Sequence, residues 1–388
     1  MKVNVGNTTI RIERRATLRW WQSAVASVLA VVVSLVLVGF AFLHVGASPV
    51  AVYREIIQYA FLSQYGLPQT INRAVFILLC AYAFIVPIRA GLWNIGMPGQ
   101  VYAGMLAAFS VAYAFGAKTS VNAPIPGVIV IPLMVLGAMA GGALYGAIPG
   151  LLRGKLQVNE IVTTMMLNSV MLWLVAHMIR EGGPFMGRTA EGEGFSLPLA
   201  ARMPQLWNLP LTVYATLILA VFLSIVLAKT TIGYQIRAFG ANPAAARYAG
   251  IREGFLCTFV FLLGGLFAGF AGYHYFAAVP GVYKIPKSYN DFGDFSFYGL
   301  ITGLIAQNNP IAAIPVALLF GGVASGARFM QGKLRLAFGI DYALLGVLML
   351  VIVAFQALAY YRLALERRVP AAVPQREIGE SRVESPHH

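Results

Sequence analysis

Between Lys229 and Glu253 the chain reads KTTIGYQIRAFGANPAAARYAGIRE, its longest interior run too polar to sit in lipid. The chemistry on offer there is grip, not bond-making. Asn242 can cap a helix that starts at Pro243, where a missing N–H and a fixed φ cost least. Gly250 supplies a left-handed stop. The product is a self-capped helix of roughly two turns, about 10 Å long, with Arg237, Arg247 and Arg252 around it. A second polar group, Asn94, Gln100, Asn159, Glu160, Thr163, Thr164 and Asn168, lies at or just inside two apolar stretches. Asp291, Asp294, Gln307, Asn308, Asn309 and Asp341 mark later ones. A carboxylate at membrane depth is costly and by default points to function. Glu160 reads more simply as the acid of a first helical turn capped by Asn159, and Asp291, Asp294 and Asp341 share that reading. No relay of protonatable groups, as a proton-coupled carrier needs, is visible.

Several chemistries are missing. The Gly-Lys pairs Gly154-Lys155 and Gly332-Lys333 are followed by leucine instead of Ser or Thr, so no phosphate-binding Walker loop is present. Nucleotide hydrolysis is therefore not expected of this chain. His44, His177 and His274 stand singly near the ends of apolar runs, and His387 with His388 close the tail. They form neither a zinc pattern nor a nucleophile–base pair. No catalytic residue, cofactor site or metal site is expected. Cys80 and Cys257 fall in apolar stretches and read as packing residues.

The elements that must position these residues are set by composition. The chain has 388 residues, 59% hydrophobic and only 11% charged, more apolar surface than a soluble core can use. An all-α polytopic membrane protein follows. Taking about 20 apolar residues per crossing, ten spans are expected, near 21–43, 71–89, 99–117, 127–150, 159–178, 210–229, 255–278, 295–306, 311–330 and 341–361. The third and the short eighth are candidates for broken or re-entrant helices. The first is too long for a signal-peptide core and is read as retained. Residues 1–20 and 362–388 remain as tails, the last expected to be disordered, flanking a transmembrane domain over 21–361 with its polar segment at 229–254. With both termini in the cytoplasm, 17 of the 28 Lys and Arg residues fall on the cytoplasmic side. The +14 formal charge is thus explained by orientation, and nucleic acid is not an expected partner, since no basic stripe or stacking platform accompanies it.

The loop from Ile179 to Leu209 is glycine-rich, carries Glu181, Glu191 and Glu193, and exceeds the usual few residues of a helix connection. A solvated outer loop is expected. Glycines recur at four-residue spacing at Gly137 and Gly141, at Gly142, Gly146 and Gly150, at Gly265 and Gly269, and at Gly322 and Gly326, which lets helix backbones approach closely in lipid. Gly96–Gly104 and Gly293–Gly299 are two glycine-marked approaches to spans that would point oppositely, as in an inverted repeat.

Gly233 to Ile251, GYQIRAFGANPAAARYAGI, resembles the cytoplasmic coupling segment of ABC importer permeases of the branched-chain amino acid and simple-sugar superfamily, where G-x-N-P-x-A-A-x-Y-x-G-I is typical. Arg89–Gln100, RAGLWNIGMPGQ, and Val158–Asn168, VNEIVTTMMLN, resemble blocks of the permeases that serve basic-membrane-protein-type nucleoside importers. Met97-Pro98 and Gln307-Asn308-Asn309-Pro310 depart from the usual Ala-Glu and Gly-Arg-Asn-x-Pro. The resemblance covers about 43–355. It implies two permeases, usually unlike, in the inner membrane of a bacterium, with cytoplasmic ATPase subunits that bind ATP–Mg and an external lipoprotein that delivers the nucleoside.

On that resemblance, Arg237, Gly240, Asn242, Pro243, Ala244, Arg247, Tyr248 and Gly250 are the expected ATPase-coupling residues. Asn94, Gln100, Tyr102, Asn168 and Phe297 are the expected substrate path, because nucleosides need hydrogen bonds and a face to stack on. Helix packing would use the same residue types equally well. Simple sugars or branched-chain amino acids are alternative cargoes. A secondary carrier or channel is the alternative class, which would want ion-coupling carboxylates at mid-span.

Overall fold

A computed structural model describes residues 2–5, 8–14, 20–44, 46–117, 122–180, 182–187, 195–286, 292–334 and 339–367. Glu181, Glu191, Glu193 and Asp291 of the sequence reading lie outside them, as does the tail beyond 367. The chain forms two compact units, residues 31–353 and a smaller one made of 1–30 with 354–388. In the smaller unit the strands Lys2–Val5, Thr8–Arg14 and Tyr361–Arg367 make one antiparallel sheet with Thr8–Arg14 in the middle. The C-terminal tail thus begins with a strand where no regular structure is expected from its sequence.

The rest is helical: α1 (Trp20–His44), α2 (Pro49–Ile57), α3 (Gly66–Arg89), α4 (Met97–Ala114), α5 (Gly127–Leu156), α6 (Glu160–Ile179), α7 (Leu211–Lys229), α8 (Thr231–Ala241), α9 (Pro243–Tyr248), α10 (Glu253–Tyr273), α11 (Gly293–Ile305), α12 (Ala313–Lys333) and α13 (Ile340–Tyr360). Single π-helical turns extend α2 to Leu62 and α10 to Ala278. Each expected span coincides with one of these helices. Six of them, α3, α5, α6, α7, α10 and α12, are long and apolar enough to cross a membrane. Residues 29–44 and 49–62 form a pair bent by 119°, a seventh span if taken together, while α11 and α13 are shorter apolar helices. Among the described residues the bend lies between α1 and α2, while α4 is one continuous helix. The sequence hid α2 because Arg54 and Glu55 interrupt its apolar run.

The core sits on α3, whose central window is 83% buried. A helix apolar on all faces belongs inside. Against it pack α10, α11 and α12, and α10 in turn lies along α5. The α5–α10 contact is made by small residues: a Cβ on Gly142 would overlap the Gly265 carbonyl, one on Gly269 the Ala138 carbonyl, and one on Gly150 would reach Thr258 Cα at 2.8 Å. Gly141 meets Ala107 of α4, and Gly326 meets Ile56 of α2. The spaced glycines are thus consumed in helix packing within the chain. Cys80 and Cys257 are buried free thiols.

Gly142→Leu or Gly269→Leu should force α5 from α10, and overpacking of this kind costs roughly 1–3 kcal/mol or more. The expected result is a lower detergent melting temperature with loss of the monodisperse peak on size exclusion. A substitution of the same size at Gly332, which has open space around it, should leave both unchanged.

Candidate functional site

The polar segment folds as two helices in series. Thr230 ends α7 and caps α8, its hydroxyl accepting from Gly233 N at 3.2 Å and donating to the Val226 carbonyl at 2.6 Å. Gly233, Ile236 and Phe239, at helical spacing, turn the buried face of α8 inward. Asn242 then caps α9, its Oδ1 accepting from Ala245 N at 3.1 Å, with Pro243 in the first turn. Gly250 has φ +84° and ends the unit. Only Ala246 of α9 is buried, whereas Tyr248 is 98% exposed. The result is a projecting helix with a fixed start and stop and an aromatic ring at its tip.

Two contacts tie this projection to the bundle. Gly240 rests on the C-terminal end of α3, where a Cβ would overlap the Arg89 carbonyl. Arg89 Nε in turn donates to the Asn308 carbonyl at 2.8 Å, between α11 and α12. On the other side Glu253, the first residue of α10, accepts from Arg247 Nη1 at 3.1 Å and from Gln157 Nε2 at 3.1 Å. Gln157 is the left-handed residue that ends α5. Arg247, one of the expected ATPase-coupling residues, is paired with an acid of its own chain. Its six-residue spacing from Glu253 across a glycine turn was the available signal. Beside α9 a depression of about 470 Å³ is lined by Lys229, Thr230, Tyr234, Arg237, Ala249 and Ile251.

The amides expected along the substrate path form a fastening. Asn94 Nδ2 donates to the Ala83 carbonyl at 3.1 Å and to Gln100 Oε1 at 3.0 Å, and Gln100 Nε2 returns a bond to Asn94 Oδ1 at 3.0 Å. Asn168 accepts from Gly99 N at 2.9 Å and donates to the Ile95 carbonyl at 3.1 Å. Together they pin the start of α4 between α3 and α6. Glu160 lies at the same end, with Asn159 capping its helix through Ile161 N at 2.9 Å and Arg153 Nε 3.4 Å from its carboxylate. Tyr102 stands apart, donating to the Pro286 carbonyl at 2.8 Å with Phe292 edge-on at 4.7 Å. Phe297 is on α11 and partly exposed.

A second hollow, of about 480 Å³, is elsewhere. It lies at the end of the bundle opposite the polar segment, where α3 begins, α10 ends and α12 ends. Asn72, Arg73, Phe76, Tyr275, Phe295 and Arg328 contribute to its wall, together with Gln205 and Asn208 from the long loop. Its pieces come from five separate stretches, so no local motif announces it.

Residues 66–353 match the family described as the permease component of the branched-chain amino acid transport system. The chain belongs to this family of ABC transporter permeases. A glucose ABC transporter permease of Haloferax volcanii is 31% identical over 90% of this chain and 91% of its own length. A nucleoside ABC transporter permease of Lactococcus lactis is 30% identical over 86% of this chain and 90% of its own, and a guanosine permease of Bacillus subtilis 27% over 86% and 92%.

Asn242→Ala should loosen α9 by about 1 kcal/mol, the worth of an N-cap. Amide exchange over 244–248 should quicken roughly fivefold, while Asn242→Asp, which keeps the acceptor, should stay within twofold of the parent.

Proposed function

We propose that this permease is the membrane subunit of a nucleoside importer, driven from the cytoplasm by a separate ATPase that carries ATP–Mg and grips α9. The observation that supports this most is α9 itself: capped at both ends, projecting, and anchored by Gly240 on α3 and by Glu253 on α10. Closure of the ATPase pair would push this rigid unit and rock the attached helices, alternating access across the bundle. The depression lined by Lys229 and Arg237 offers basic groups to acids of the ATPase. Arg247 holds α9 in place through Glu253. The same reading takes ten crossings with both termini in the cytoplasm of a bacterial inner-membrane protein, a second, unlike permease as partner, and an external lipoprotein that delivers cargo. It also takes an inverted repeat, supported by α4 starting at the Arg89 end of the bundle while α11 runs towards it.

Nucleoside cargo is supported by the blocks at Arg89–Gln100 and Val158–Asn168 and by the Lactococcus and Bacillus relatives. The Haloferax glucose permease, equally similar, favours a sugar as the second reading.

The test is reconstitution of this chain with its ATPase, second permease and lipoprotein. Gly240→Leu should displace α8 from the Arg89 carbonyl, and Arg247→Glu should break the clip to Glu253. Each should lower guanosine uptake at least tenfold while ATP hydrolysis persists and membrane insertion is unchanged. Full uptake by the double variant would sink the coupling assignment. Competition of guanosine uptake by excess glucose, and not by uridine, would replace the cargo by a sugar.

A further inference from the structure

The hollow opposite the polar segment contains an unmet acceptor. Asn72 is 3% exposed, and its Oδ1 is buried without a hydrogen-bond partner. Buried polar atoms are nearly always paired, and an orphan calls for a reason. Its main chain is firmly held: the Asn72 carbonyl meets His274 Nε2 at 3.0 Å, and His274 Nδ1 meets Thr212 Oγ1 at 2.7 Å. A carbonyl can only accept, so in the neutral imidazole Nε2 carries the proton and Nδ1 accepts from the threonine. His274, read from sequence as a lone histidine, fixes the backbone of Asn72, a residue of the hollow's wall.

Around it the wall is aromatic and amide-rich. Phe76 and Tyr275 lie 5.5 Å apart, and the Arg73 guanidinium sits 5.6 Å from the Phe295 ring centre while donating to the Ala324 carbonyl at 2.7 Å. No Asp or Glu stands among the described lining residues, whereas Arg73 and Arg328 both do. A flat ring bearing both donors and carbonyl acceptors would find stacking faces, an acceptor and the exposed Arg328 guanidinium. About 480 Å³ is room for a nucleoside and within the usual range for a small-molecule site.

We infer that this hollow is a binding site for an oxo-bearing nucleoside such as guanosine or uridine, with Asn72 Oδ1 accepting from an N–H or O–H of the ligand. The inference rests on the nucleoside reading of cargo and adds to it a site inside a single permease, remote from the coupling helix.

The test is binding of radiolabelled guanosine and uridine to the full-length permease in nanodiscs, with glucose, leucine and guanosine monophosphate as competitors. Asn72→Leu should weaken guanosine at least tenfold yet leave the melting temperature equal or higher, because the lost oxygen bonds nothing in the empty protein. Asn72→Asp, which keeps an acceptor, should bind more tightly than Asn72→Leu. Arg328→Ala, at an exposed position, gives a second variant expected to fold and to weaken binding. Unaltered guanosine affinity in Asn72→Leu and Arg328→Ala would overturn the site, and if guanosine uptake by the reconstituted importer still proceeds, the cargo reading survives that loss. Displacement by glucose, leucine or the nucleotide in preference to guanosine would overturn the ligand class.

Discussion

Close approach of helix backbones along α5 and α10 is the constraint on which the rest depends. Lipid offers helices no hydrophobic reason to associate, so contact must come from van der Waals packing between surfaces without side chains in the way. Gly142, Gly146 and Gly150 on α5, facing Gly265 and Gly269 on α10, supply such a surface over several turns. Gly104 of α4 meets the same Gly269, which brings a third helix to the seam. With α10 held on one side, its other side is free to bury α3. The projecting segment and the hollow lie at the two ends of that pair.

At one end lies the segment that projects, at the other the hollow. The projecting end is fixed by short-range chemistry, through side-chain caps at Thr230 and Asn242 and a positive φ at Gly250. The hollow is fixed by long-range chemistry: the loop hairpin at 205–208, the His274 and Thr212 bridge to Asn72, and the Arg73 bond to α12. The amide fastening of Asn94, Gln100 and Asn168 lies towards the projecting end, where it sets the start of α4.

That division decides what the sequence could tell. Hydropathy reveals every long helix, because a crossing writes its length into consecutive residues. The capped helix at Pro243 was legible because Asn242, Pro243 and Gly250 mark its start and stop within one short stretch. The α2 helix was not, since Arg54 and Glu55 make it amphipathic and leave no apolar run of spanning length. Nor was the Gln157 bond to Glu253, or the wall that unites Asn72 with Tyr275 and Arg328. Those contacts join residues tens to hundreds of positions apart, and only the packed helices bring them together. Asn94 and Asn168 were visible as polar residues in apolar stretches, but type alone does not separate an amide that binds cargo from one that fastens a helix start.

The glycine seam has a mechanical consequence. A contact made of backbone has no rotamers to rearrange under load, so α5 and α10 must tilt together or not at all. From Glu253 to Ala278 the span is 26 residues, roughly 39 Å of helix, and a tilt of about 5° at its base would carry the far end through ~3 Å. That displacement is comparable to the length of one hydrogen bond. Asn72, held to the far end of this lever through His274, would register such a tilt as the making or breaking of a single contact.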